Sequence, residues 1–119
     1  MNPKTLSIFL GTPPYGHENA DTVIRLTEAA LAKGHRVRIF ASADAVHIAQ
    51  RDQHPAGLPD ALAGLTALIE RGAQVELCGS CLRMRGLSSE QLVDGARPSS
   101  LKGLFTAVAE ADAFLSFGG

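Results

Sequence analysis

The residue pattern predicts a three-layer α/β/α domain on a mainly parallel sheet of about five strands. Short apolar runs alternate with segments of helical period. The runs are continuous rather than alternating, as in strands buried on both faces. A basic helix end, a glycine, two residues and a strand occur twice, as Lys33-Gly34-His35-Arg36-Val37 and Arg71-Gly72-Ala73-Gln74-Val75. Such junctions belong to consecutive βαβ units with right-handed crossovers. No linker interrupts the chain, so residues 1–119 form a single domain. A chain of this length buries about two-thirds of its unfolded surface and folds without disulfide or metal.

The elements follow in order. Leu6–Leu10 is a buried strand, and Thr12–Gly16, with two prolines, is a loop. Asn19 or Asp21 caps a helix to Lys33, with Val23, Leu26 and Ala30 on its apolar face and Gly34 closing it. Val37–Ala41 is the second strand, and a short helix spans Asp44–Gln50. Arg51–Leu58 is loop. Pro59-Asp60 opens a helix with Leu62, Leu65 and Ile69 inward, ending at Arg71-Gly72. Gln74–Leu77 is the third strand, with Cys78 at its carboxyl end and a turn or short helix over Cys81–Arg85. Ser88-Ser89-Glu90-Gln91 reads as a capping box. Gly95–Pro98 is a short fourth strand. Ser99 or Ser100 caps a last helix with the stripe Leu101, Leu104, Phe105, Val108, Ala109, and Ala113–Phe117 is the final strand.

Eleven Lys+Arg against twelve Asp+Glu leave a net charge of -1. No basic field marks a nucleic-acid or membrane-surface partner. No apolar run approaches the ~20 residues of a membrane span, and the start lacks the basic end and apolar core of a signal peptide. A cytoplasmic protein is expected.

Ligands of open parallel sheets gather beyond the carboxyl ends of the strands. Two such segments have unusual composition, Gly11–Glu18 and Cys78–Gly86. Gly11 and Gly16 have the spacing of a phosphate loop, but His17 and Glu18 stand where it needs lysine and a hydroxyl, and Pro13 and Pro14 remove backbone donors. The segment reads instead as a rigid turn whose Tyr15 and His17 border a site centred elsewhere.

That centre is Cys78-Gly79-Ser80-Cys81-Leu82-Arg83-Met84-Arg85-Gly86. Nearby arginines lower a thiol's pKa by stabilising the reactive thiolate. Arg83 and Arg85 are candidates for this, or for ordinary solvated helix arginines. Zinc needs three or four ligands, and none of His17, His35, His47 and His54 has a partner histidine at ligand spacing, so no metal is expected. Cys-Gly-Ser-Cys has the letters of a dithiol redox pair, but such pairs follow an early strand and usually a tryptophan, which this chain lacks. The closing Gly118-Gly119 resembles the tail of a β-grasp sulfur carrier, whose sheet-rich pattern differs from this one.

Taken together, the order of motifs resembles the DsrE/DsrF-like sulfur-relay family, which includes the TusD subunit of the tRNA-thiolation relay. The resemblance rests on the Gly11-Thr12-Pro13-Pro14-Tyr15-Gly16 loop, on Gly34-His35, and on Cys78 followed eight residues later by the glycine of Arg85-Gly86. It extends to Ser99-Ser100-Leu101-Lys102-Gly103-Leu104 and Glu110-Ala111-Asp112 before the last strand. It implies a homotrimer or hexamer in which Cys78 accepts sulfane sulfur as a persulfide and passes it to a partner protein, without a cofactor. Cys81 would then be an optional resolving thiol that attacks the persulfide. The last helix and the apolar Leu82, Met84 and Leu87 would give a monomer surface it has trouble covering, and the resemblance places Cys78 near a subunit boundary, facing a cleft bordered by Tyr15 or His17. Two other readings stay open: a dithiol redox or sensing module using both cysteines, and a non-catalytic assembly subunit with inert thiols.

Overall fold

The computed structural model describes residues 2–15 and 18–118. Its strands are β1 (Thr5–Leu10), β2 (Arg36–Ala41), β3 (Gln74–Cys78), β4 (Ala96–Ser99) and β5 (Ala113–Phe117). Its α-helices are α1 (Asn19–Ala32), α2 (Ala61–Glu70), α3 (Gly79–Met84) and α4 (Leu101–Glu110). Two 3-10 segments, Ala43–Ala49 and Ser89–Gln91, complete the described elements. All strand pairs are parallel, in the order β4-β3-β2-β1-β5. Pro98 fits because β4 is an edge strand, where a missing ladder donor costs little.

Strand parity builds two unlike faces. Ile8, Leu10, Val37, Ile39, Ala41, Val75 and Leu77 point to one side and pack with Val23 and Ile24 of α1 and Leu65 and Leu68 of α2. On α2 it is Ala61, Leu65 and Leu68 that are buried, so the inward face is turned from the expected Leu62 and Ile69 toward Leu68. Gly64 lets α2 approach α1: a Cβ there would stand 3.1 Å from Ile24 Cδ1.

The opposite face is not a continuous apolar surface. Phe9 and Phe40 stack with centroids 6.4 Å apart, but Ser7, Arg38 and Glu76 stand beside them. Arg38 pairs with Glu76 at 3.1 Å and with Glu110 of α4 at 2.8 Å. Ser7 Oγ donates to the Ala107 carbonyl at 2.9 Å, pinning α4 over this face. The strands are therefore apolar on one face and mixed on the other, because a single helix covers the second face and ion pairs fill what it leaves.

The stripe on α4 is also placed differently from its period. Only Ala107 is buried, while Leu101 and Phe105 are 65% and 66% exposed and Val108 is 40% exposed. Phe114 and Leu115 on the edge strand β5 are exposed as well. A helix buries the side that touches its neighbours, and α4 meets the sheet along Leu104 and Ala107.

The αβ junctions close by one local mechanism. After α1, Gly34 N donates to the Leu31 carbonyl and His35 N to the Ala30 carbonyl, both at 3.0 Å. After α2, Gly72 and Ala73 make the same pair of bonds to Ile69 and Leu68. After α3, Gly86 and Leu87 repeat it onto Arg83 and Leu82. Each glycine is left-handed, with φ of 85°, 101° and 67° respectively, the conformation this closure demands.

Three of the expected caps fall where the residue types suggested. Asp60 accepts from Ala63 N at 3.1 Å, Ser100 caps α4, and the Gln91 side chain accepts from Ser88 N at 2.8 Å. The cap of α1 differs: Glu18 holds that position without a side-chain bond. The Asn19 amide instead donates to Thr12 Oγ1 at 3.0 Å, and Asp21 pairs with Arg25 at 2.8 Å.

Candidate functional site

The two thiols lie where adjacent parallel strands end. Ala41 pairs with Leu77 in register, so the residues following β2 and β3 emerge side by side. After β2 come Ser42 and Ala43, the start of a 3-10 segment; after β3 come Cys78 and α3. Cys78 occupies the cap position of α3 and pairs across to Ser99 of β4. Gly79 gives room for this edge, since a Cβ would stand 3.1 Å from the Ser99 carbonyl oxygen. Both cysteines are free and half-buried, and Cys81 packs against the core.

Cys81 Sγ meets a backbone amide and a hydroxyl from the end of β2. Ala43 N donates to it at 3.2 Å, and Ser42 Oγ lies at 3.5 Å. Burial raises its pKa, but hydrogen bonds from Ser42, the Cys78 thiol and Ala43 N–H, with the positive charge of Arg85, outweigh that. The net effect holds the Cys81 thiol below its ordinary value. Arg85 is fixed in place: Nε pairs with Asp44 at 2.9 Å and an Nη donates to the Cys81 carbonyl at 3.2 Å. Ala43 reaches the sulfur from a left-handed backbone, φ 54°, a conformation unfavourable for a residue with a Cβ.

The other candidate residues are distributed as follows. Arg85 joins the thiols through Cys81. Arg83 folds back along α3 to Ser80 Oγ at 3.1 Å. The Tyr15 hydroxyl donates to Gln53, whose amide in turn donates to the carbonyls of His47, Ile48 and Gln50 at 2.9–3.0 Å. Tyr15 lines an open cleft of about 650 Å³ between α1 and α2, with Ile24, Pro59, Asp60 and Gly64, and no cysteine borders that cleft. Burial is the largest influence on its phenol and raises its pKa. His17 lies outside the described residues. Sequence reasoning did not single out Ser42 and Ala43, because only the β2–β3 register brings them to Cys81. Among the described residues, no three His, Cys, Asp or Glu side chains converge to hold a metal ion. No helix among them is long and apolar enough to cross a membrane.

A parallel α/β domain with a thiol pair at the carboxyl end of β3, beside the end of β2, defines the class. The chain belongs to the DsrE/DsrF-like family, whose model matches residues 4–117. It is 35% identical to the uncharacterized protein MJ0989 of Methanocaldococcus jannaschii over 111 residues, 93% of this chain and 97% of that one. It is 31% identical to protein YchN of Escherichia coli over 106 residues, 87% of this chain and 91% of that one. The crystal structure of the E. coli protein superposes with a TM-score of 0.90 at 29% identity, covering 96% of this chain and 99% of that one. The expected α/β fold and family are thus both found, and the family points to a role of the sulfur-relay type.

Proposed function

We propose that the protein accepts sulfane sulfur on Cys78 as a persulfide and hands it to a partner protein. The observation that carries this reading is the thiol pair itself. Cys78 stands at the outer end of β3, while Cys81, one turn on, is surrounded by donors and a fixed guanidinium. A thiolate attacks sulfane sulfur on a donor, a new S–S bond forms, and the donor sulfur leaves as its own thiolate. The chemistry calls for thiol activation rather than a cofactor, and the surroundings of Cys81 stabilise an anionic sulfur. Arg85 reaches this pair through Cys81, and Arg83 adds positive charge on the same short helix.

The chain acts as a closed oligomer of its own copies, a trimer or a dimer of trimers. The apolar residues Leu101, Phe105 and Val108 of α4 and Phe114 of β5 supply the surface that copies would bury. Incubation with a cysteine desulfurase and cysteine, read by intact mass, tests the sulfur chemistry. The expected product is an adduct of about 32 Da that forms on Cys81→Ser and is absent from Cys78→Ser. Retention of the adduct by Cys78→Ser, with its loss from Cys81→Ser, would overturn the assignment.

A further inference from the structure

We propose that Cys81 discharges a persulfide on Cys78, making the protein a persulfide reductase that releases sulfide when no acceptor is engaged; this rests on the sulfur-accepting reading above. The two cysteines are given different surroundings by the fold. Cys81 packs against the core and is met by Ala43 N–H at 3.2 Å and Ser42 Oγ at 3.5 Å. Cys78 holds the position before α3 at the strand end, and Cys81 is the third residue of that helix, one turn away. The inner sulfur of any Cys78 persulfide therefore stands beside an anion-stabilised sulfur.

The Ser42-Ala43 turn is the device. Ala43 adopts φ 54°, which a residue with a Cβ resists, and in that conformation its amide meets Cys81. A neutral thiol is a weak acceptor, whereas a thiolate is a strong one, so this amide favours the reactive form. Arg85, anchored by Asp44 and by the Cys81 carbonyl, adds positive charge without capping the sulfur. The Asp44 carboxylate opposes part of that charge, leaving the amide and hydroxyl as the direct partners.

The step balances as a thiol–persulfide exchange. The Cys81 thiolate attacks Cys78 Sγ, a Cys78–Cys81 disulfide forms, the bond from Cys78 Sγ to the outer sulfur breaks, and that sulfur leaves as hydrosulfide. The sulfane sulfur is reduced to sulfide and the two cysteine sulfurs are oxidised to the disulfide. An external dithiol then reduces the disulfide and resets the pair.

The experiment gives the reduced protein one equivalent of glutathione persulfide, then follows free sulfide and intact mass. Wild type is expected to release about one equivalent of sulfide and end about two Da lighter as the disulfide. Cys81→Ser, and Cys81→Ala as a second variant, keep the adduct of about 32 Da and release no sulfide. Ser42→Ala slows release several-fold. Wild type that holds its adduct as long as Cys81→Ser overturns the inference and leaves the sulfur-accepting reading standing. Absence of both adduct and sulfide in every chain refutes both.

Discussion

The exposed face of α4 makes an assembly prediction whose size can be worked out. Phe105 is 66% exposed, so covering the rest of its ring in an interface contributes about 1–2 kcal/mol per copy. Leu101, at 65%, contributes a similar amount and Val108, at 40%, rather less, giving together about 3–5 kcal/mol per copy. Phe105→Glu removes the first contribution and places a carboxylate where apolar surface is to be buried. In a closed trimer the lost burial alone is about 3–6 kcal/mol, or about two to four powers of ten in the association constant. Desolvation of the carboxylate enlarges that loss. The isolated fold is expected to change by no more than about 0.5 kcal/mol, because the side chain faces outward and glutamate favours helix. Sedimentation velocity at micromolar concentration, with urea unfolding of the dissociated variant, reads both quantities. Wild type sedimenting as a 12.5 kDa monomer refutes the reasoning, as does a Phe105→Glu chain with the wild-type sedimentation coefficient.

Three further outcomes follow from the same structure. Leu65 is fully buried between α2 and the sheet, and Leu65→Ala is expected to lower unfolding free energy by about 2–5 kcal/mol in urea titration. Gly86 has φ 67° and open space around the site of a Cβ, so Gly86→Ala carries backbone strain without a clash, a loss of about 1 kcal/mol measured the same way. The Cys81 thiol is depressed in the folded state, so the unfolded chain binds more protons between the folded and unfolded values and stability rises with pH across that window. This contribution is fully present above the unfolded thiol value and lost as pH falls through the folded one. The difference in stability between wild type and Cys81→Ser should therefore grow with pH there; a flat difference contradicts the hydrogen-bonding account.

Much of the architecture is local and so is written in order along the chain. Lys33-Gly34 and Arg71-Gly72 signal their junctions because a left-handed residue closing a helix favours glycine, whatever surrounds it. Asp60 and Ser100 cap because a short side-chain oxygen meets an amide three residues on. The apolar strands, their parallel alternation with helices, and the spacing of Cys78 and Cys81 were legible for the same reason: each depends on residues close in sequence.

Other properties depend on residues that meet only after folding. The period of α4 shows an apolar stripe but cannot say which side meets the sheet; contact through Ala107 leaves Leu101 and Phe105 outward. The β1 loop led to Tyr15, yet its hydroxyl is held by Gln53, 38 residues away. Arg38 lies in the middle of an apolar strand, and only the approach of Glu76 and Glu110 explains it. The sequence by itself determined an α/β domain with two thiols one turn apart. Tertiary structure decided which thiol is surrounded by donors, because pairing Ala41 with Leu77 brings Ser42 and Ala43, 39 and 38 residues away, onto Cys81. Periodicity encodes the faces of each element, whereas the register between elements is set by the packing of the whole domain.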